Sequence, residues 1–166
     1  MSDALAYLAD ELAELREQKL FRYPKVLTGQ QQARAVFDGR EVINLSSNNY
    51  LGLATHPRMI AAAAGAAQEF GAGSGAVRTI AGTMDIHVEL EKKIAAFKHT
   101  EAALVFQSGF TANAGTVAAV LGKDDMIISD ELNHASIIDG CRLSRAAIKV
   151  FPHGDIDALK QLLDET

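Results

Sequence analysis

The chain has 166 residues, of which 48% are apolar and 22% charged, with a net charge of −5, and this composition is typical of a globular domain with its own core. Acidic and basic residues are mixed without a Lys/Arg block, which argues against a nucleic-acid partner, and no apolar run is long enough to span a bilayer. The acidic N-terminus does not resemble a signal peptide, and the lone Cys141 indicates a reducing compartment. We therefore expect a cytoplasmic protein without a membrane span.

The first predicted elements are a helix and a hairpin. Leucines at three- and four-residue steps from Leu5 to Leu15 predict an amphipathic helix over 4–20. The stretch 34–45 predicts two short strands around an Asp38-Gly39 turn.

A second helix and a glycine-rich stretch follow. Pro57 is suited to the first turn of a helix, which we expect to run to about Phe70. The glycine-rich residues 71–83 predict an extended loop. We expect Thr83 to cap the next helix, whose apolar face carries four residues. These are Ile86, Leu90, Ile94 and Phe97.

The remaining chain alternates between short apolar runs and helical segments. This alternation predicts right-handed crossovers and a mainly parallel sheet, that is, an α/β fold. A covered parallel sheet normally has about five or more strands, so we expect the front part of a longer protein. Its domains would be a helix and hairpin segment over 1–52 and the first part of a large domain over 53–166. The predicted strands are 102–106, 126–129 and 147–151, and the predicted helices are 111–121, 134–145 and 155–165.

The stretch "QSGF", residues 107–110, joins a predicted strand to a predicted helix. Such a turn directs backbone N–H groups and the positive end of a helix dipole at one point, which suits a phosphate monoester. Ser108 adds a hydroxyl, Gly109 allows close approach, and the N–H of Phe110 follows. Neither a P-loop lysine nor GxGxxG is present at this turn, and a plain strand-to-helix turn would use the same residues.

The stretch "SDELNHASIIDG", residues 129–140, also follows a predicted strand and should therefore emerge at the same sheet edge. His134 would begin a helix there, where its ring could lie against a planar ligand and the dipole would favour the neutral imidazole. The alternatives are a structural role for His134 and a simple N-cap at Asn133.

Two further polar residues have both a binding and a structural interpretation. Arg78, among glycines, could bind a carboxylate or phosphate bidentately, or could form an internal ion pair. Asn48 could donate its amide to a substrate carboxylate, or could close an Asx-turn.

Four motifs in this order resemble the α-oxoamine synthase family, which belongs to the fold-type I pyridoxal-phosphate enzymes. They are "SSNNYLGL", "GAGSGAVRTIAGT", "QSGFTANAG" and "SDELNHASIIDG", and the resemblance covers essentially the whole chain. It implies the large-domain fold of those enzymes, pyridoxal 5'-phosphate as cofactor, amino-acid and acyl-CoA substrates, no metal, and a homodimer with the active site at its interface. The motifs look most like the glycine C-acetyltransferase branch, with the 8-amino-7-oxononanoate synthase branch of the biotin pathway as the alternative.

The resemblance also implies roles for individual residues. Ser108, Gly109 and Phe110 would hold the cofactor phosphate, Asn133 would shape the cofactor pocket, and His134 would stack on the pyridine ring.

On the substrate side, the resemblance places Asn48 near the amino-acid carboxylate, Arg22 near the substrate, and Arg78 near the acyl-CoA. The Schiff-base lysine of the family lies beyond residue 166, and no lysine of this chain has its Ser/Thr-rich context. We therefore expect the chain alone to be inactive. Two other interpretations are a lysine-less, non-catalytic subunit of the same fold and a nucleotide-phosphate-binding domain.

Overall fold

The structure is a computed structural model that describes residues 4–165. It divides into two compact units, with the division between Gly75 and Ala76. The predicted domain boundary at residue 52 stays a prediction, and each unit is described by itself below.

The first unit begins with helix α1, Ala6–Glu17, which is shorter at both ends than the predicted 4–20. At its end Lys19 adopts a positive φ of 59°, and the N–H of Leu20 turns back to the carbonyl of Leu15. The helix therefore stops because the backbone reverses there, although the apolar spacing continues.

A three-stranded antiparallel sheet follows α1 and confirms the predicted hairpin. Its strands are β1 (Leu27–Thr28), β2 (Arg34–Phe37) and β3 (Arg40–Ile43), with β2 in the middle. Asp38 and Gly39 both have positive φ, as a two-residue turn between twisted strands requires. Strand β1 was not predicted, because two residues are too few to show an alternating pattern.

Helix α2 spans Pro57–Phe70, as predicted. Pro57 occupies the first turn, where its missing N–H costs nothing. The Nδ1 atom of His56 accepts the N–H of Arg58 at 3.2 Å and caps the helix.

The second unit alternates helices with strands and confirms the α/β fold. Strands β4 and β5 pair in parallel from Met126 opposite Ala147 to Asp130 opposite Phe151. The elements are α3 (Asp85–Lys98), α4 (Gly109–Val120), β4 (Met126–Asp130), α5 (Ala135–Ser144), β5 (Ala147–Phe151) and α6 (Ile156–Asp164).

The predicted strand 102–106 is wrong, since the segment is irregular and pairs with no other strand among residues 4–165. At Val105 both backbone groups are bonded to side chains instead. The N–H of Val105 donates to Glu91 Oε1 at 3.0 Å, and the carbonyl of Val105 accepts from Arg78 Nη1 at 3.5 Å. The polar backbone groups of Val105 are therefore satisfied without a strand partner.

The helix cap predicted at Thr83 is also wrong. Helix α3 begins at Asp85 with Met84 as the N-cap residue. The Thr83 hydroxyl donates to the carbonyl of Arg78 at 2.7 Å, so it closes the preceding loop rather than the helix.

Small residues allow α4 and α5 to pack closely. Gly140 of α5 faces the carbonyl oxygen of Asn113 in α4, and a Cβ at residue 140 would lie only 2.7 Å from that oxygen. The buried apolar residues of the described chain are also small. They are Ala35, Ala95, Cys141 and Ala146.

Candidate functional site

The turn into α4 is built around Ser108. Its Oγ accepts the N–H of Thr111 at 3.2 Å, while Thr111 Oγ1 accepts the N–H of Ser108 at 3.1 Å. This reciprocal cap starts the helix at Gly109, two residues before the predicted start at 111.

The first donors of α4 face an open space. The N–H groups of Gly109 and Phe110 belong to the first turn, where a helix offers no acceptor to its own backbone. A Cβ built on Gly109 would have no atom within 4 Å, and Phe110 is 52% exposed. The turn therefore presents N–H donors and the positive end of a helix dipole to an incoming anion.

His134 caps the neighbouring helix α5, which is the structural role that its position allowed, and Asn133 does not provide the cap. The Nδ1 atom of His134 accepts the N–H of Ser136 at 3.2 Å and lies 2.7 Å from Ser136 Oγ. The ring is thereby held at the helix start while the residue remains exposed.

Asn113 and Ser136 join the two helix starts, and the sequence analysis missed both residues. Asn113 Nδ2 donates to Ser136 Oγ at 2.9 Å, and Ser136 is only 2% exposed. The contact links the second turn of α4 to the first turn of α5, so the ends capped by Ser108 and His134 are neighbours. The available signal was an amide-bearing residue at 113 within an Ala-rich helix.

Asn133 is bonded to the strand that precedes it. Its Nδ2 donates to Ser129 Oγ at 3.0 Å, and Ser129 is 6% exposed. Asn133 therefore braces the loop that carries His134 against β4.

Asp130 and His153, at the ends of β4 and β5, form a second missed pair. Nδ1 of His153 lies 3.0 Å from Asp130 Oδ1, and the carboxylate also accepts the N–H groups of Leu132 and Gly154. These bonds lower the pKa of Asp130 below its ordinary value, with the Leu132 N–H as the largest cause and His153 next. The carboxylate ties together the loops that leave the two strands.

Arg78 lies in an internal ion pair, one of the two roles that its position suggested. Its Nη1 atom is 3.0 Å from Glu91 Oε1, and its Nε donates to Thr83 Oγ1 at 3.1 Å. Bonds from Arg78 and from the N–H of Val105 lower the pKa of Glu91.

The first unit contains the other two predicted residues, Arg22 and Asn48. Both are exposed, and neither side chain makes a hydrogen bond within residues 4–165. The local turn is closed by Asn49 instead, which donates to the carbonyl of Gln31 and accepts the N–H of Ala54, both at 3.0 Å. The amide of Asn48 is therefore available to a ligand.

Within the part of the chain that the structure describes, no cluster of three or more His, Cys, Asp or Glu residues is arranged to hold a metal ion. In the same part, every helix is too short or too polar to cross a membrane.

Comparison with known proteins defines the class of this chain. Residues 40–166 match the aminotransferase class I and II family, and the chain belongs to that family. The predicted likeness to α-oxoamine synthases is confirmed by its relatives. The 8-amino-7-oxononanoate synthase of Symbiobacterium thermophilum is 58% identical over 160 residues, covering 96% of this chain and 41% of that protein. The enzyme of the same name from Thermoanaerobacter pseudethanolicus is 56% identical, covering 97% of this chain and 41% of that protein.

Two solved structures of serine palmitoyltransferase are similar to this chain in fold. The serine palmitoyltransferase of Sphingomonas wittichii has a TM-score of 0.85 at 35% identity, covering 99% of this chain and 43% of that one. A serine palmitoyltransferase from S. paucimobilis with bound PLP and myriocin has a TM-score of 0.86 at 32% identity, covering 99% of this chain and 42% of that one. The chain thus spans about two fifths of the length of the relatives that it matches.

Proposed function

We propose that this chain is part of a pyridoxal-phosphate-dependent acyltransferase of the 8-amino-7-oxononanoate synthase type. The reaction condenses an amino acid with an acyl-CoA to give a 2-amino-3-oxo product. The observation that carries the proposal is the 58% identity to a relative of that name over 96% of the chain.

The relatives favour the other branch of the family. The motifs alone favoured glycine C-acetyltransferase, whereas the relatives at 53–58% identity are named 8-amino-7-oxononanoate synthase. Short motifs around a shared cofactor are common to both branches, so they identify the cofactor chemistry better than the acyl group. The alternative drawn from the sequence is therefore the better supported one.

The residues at the starts of α4 and α5 fit pyridoxal phosphate. The N–H groups of Gly109 and Phe110, with the Ser108 hydroxyl, form a donor set suited to a phosphate dianion. The open space beside Gly109 leaves room for phosphate oxygens. His134 supplies an exposed aromatic ring beside that turn, with its orientation held by Ser136.

When bound, pyridoxal phosphate supplies the electron sink that acyl transfer to an amino-acid carbon needs. The residues of this chain would bind the cofactor and orient it. Ser108, Gly109 and Phe110 anchor the phosphate, and His134 presents its ring face to a planar group. Asn133 keeps the His134 loop on β4.

The remaining roles concern the substrates and the assembly. In this proposal the free amide of Asn48 binds the amino-acid carboxylate and Arg22 adds positive charge near the substrate. We further propose a cytoplasmic homodimer with the active site at its interface, as in the family that the motifs resemble.

A substrate comparison tests the function. Protein expressed from the complete reading frame is assayed with L-alanine plus a long ω-carboxylated acyl-CoA, and with glycine plus acetyl-CoA. The 8-amino-7-oxononanoate name implies a product with a terminal carboxylate and an amine beside a ketone, so we expect turnover of the first pair. Preference for glycine and acetyl-CoA would restore the glycine C-acetyltransferase assignment, and activity without pyridoxal phosphate would contradict the proposal.

A further inference from the structure

The loop before α3 forms a tight turn, and this turn fixes the position from which the Arg78 side chain extends. The N–H groups of residues 80–82 all point to the carbonyl of Val77, at 2.9 to 3.3 Å. A Cβ at Gly82 would overlap the backbone carbonyl of Ala76, so a residue without a side chain is required at position 82.

The side chain of Arg78 is held from two directions. Its Nε donates to Thr83 Oγ1 at 3.1 Å and its Nη1 to Glu91 Oε1 at 3.0 Å. The Arg78 and Glu91 side chains are 30% and 15% exposed, so this pair is more protected than the surface ion pairs of the chain. Withdrawing the guanidinium would leave the largely covered Glu91 carboxylate without a cationic partner, which is costly. This commitment argues against Arg78 as an acyl-CoA contact.

The same ion pair binds the backbone of the segment that leads into the turn at Ser108. Glu91 Oε1 accepts the N–H of Val105 at 3.0 Å, and Arg78 Nη1 lies 3.5 Å from the Val105 carbonyl oxygen. Both polar backbone groups of Val105 thus have side-chain partners, which take the place of the backbone partners that a neighbouring strand would supply. Ser108 follows three residues later.

We propose that Glu91 and Arg78 are positioning residues that hold segment 102–106 and thereby set the place where Ser108 turns the chain into α4. The inference rests on the proposed function in one respect, because it identifies the phosphate of pyridoxal phosphate as the group that the turn receives. A donor set binds more tightly when its geometry is set before the ligand arrives, because less ordering is then needed on binding.

Removal of the Glu91 carboxylate tests the inference in protein from the complete reading frame. In Glu91→Ala we expect amide hydrogen exchange at Val105 to accelerate about tenfold or more, because its acceptor is lost. The affinity for pyridoxal phosphate should fall about tenfold, whereas the affinity for pyridoxal, which has no phosphate, should change less than about twofold. Glu91→Gln retains a neutral acceptor and should recover most of the loss.

Glu89→Gln is the matched control, since Glu89 lies on the same helix in an exposed pair with Lys93. It should leave both affinities and the Val105 exchange rate unchanged. Equal losses for pyridoxal phosphate and pyridoxal in Glu91→Ala would overturn the inference, as would unchanged Val105 exchange.

Two other results remain decisive. If Glu91→Ala fails to fold, Glu91→Asp decides, because its shorter side chain keeps a carboxylate near Arg78 but withdraws the acceptor from the Val105 N–H. A selective loss of affinity for pyridoxal phosphate in that variant supports the inference, and no selective loss overturns it. If the unmodified protein binds neither compound, the proposed function fails, and exchange at Val105 and Ser108 alone decides whether the pair holds this segment.

Discussion

Ser108 has two roles at the scale of single residues, and one substitution separates them. Its Oγ caps α4 through the Thr111 N–H, and in our proposal its hydroxyl also binds phosphate. Ser108→Ala should lower the free energy of unfolding by about 1 kcal/mol, the usual effect of losing a cap. Ser108→Asp retains an acceptor for the cap and should keep most of that stability. It should still weaken pyridoxal phosphate binding about tenfold or more, because a carboxylate repels the phosphate.

Urea unfolding and an absorbance titration measure these two effects, with pyridoxal as the phosphate-free control ligand. Undiminished binding of pyridoxal phosphate by Ser108→Asp would show that the turn does not hold the phosphate.

Asp130 gives a pH-dependent prediction. Hydrogen bonds from the Leu132 N–H, His153 and the Gly154 N–H lower its pKa below 3.8 in the folded protein. Because the pKa is lower in the folded protein, the ionised carboxylate stabilises the fold at pH values above its ordinary pKa. This stabilisation is lost as the pH falls through the pKa of the folded protein. Asp130→Asn should therefore reduce the free energy of unfolding near neutral pH, and its deficit relative to the unmodified protein should shrink below about pH 4.

Denaturant unfolding at a series of pH values measures this deficit. Asp157→Asn, which alters an exposed carboxylate on α6, serves as the control and should show little change at any pH. A deficit for Asp130→Asn that persists undiminished into acid would exclude the charge as its cause.

At the scale of elements, the close contact between α4 and α5 depends on a glycine. A methyl group at residue 140 would lie 2.7 Å from the Asn113 carbonyl oxygen and 3.3 Å from the Cα of Ala114. Gly140→Ala should therefore push the helices apart and destabilise the protein by about 1–3 kcal/mol, as overpacking does. The shift should also break the Asn113–Ser136 bond that supports the His134 ring.

Gly65→Ala in α2 is the matched control, because a Cβ there meets nothing within 4 Å. It should raise the free energy of unfolding by about 0.4–1 kcal/mol through the unfolded state. Thermal or urea unfolding of both variants measures these opposite changes in the free energy of unfolding. An unchanged stability in Gly140→Ala would contradict the close contact.

At the scale of the whole molecule, the described chain exposes many apolar side chains. Phe97, Leu104, Val120 and Val150 are each at least 59% exposed, and none of the large side chains described is fully buried. Contiguous exposed apolar surface promotes association. A polypeptide of residues 1–166 alone should therefore bind a hydrophobic dye such as ANS and self-associate. Fluorescence and sedimentation measure both properties, and a cooperatively unfolding monomer without dye binding would contradict this expectation.

Local rules in the sequence determined much of the fold and part of the site. The hairpin at Asp38-Gly39, helix α2 from Pro57, the parallel alternation of β4 and β5, and the turn at Ser108 all follow from spacing and turn residues. Such signals are legible because the energies behind them act over a few neighbouring residues.

Only the tertiary structure decided that residues 102–106 are irregular rather than a strand, and which partners the polar side chains have. An apolar run reads as a strand, yet Glu91, 14 residues earlier, takes the N–H of Val105. Likewise Asn113 finds Ser136 across 23 residues, and Asp130 finds His153 across the same separation. The partner of a backbone or side-chain group depends on which distant group the fold brings within hydrogen-bond distance. Local spacing in the sequence does not contain that information.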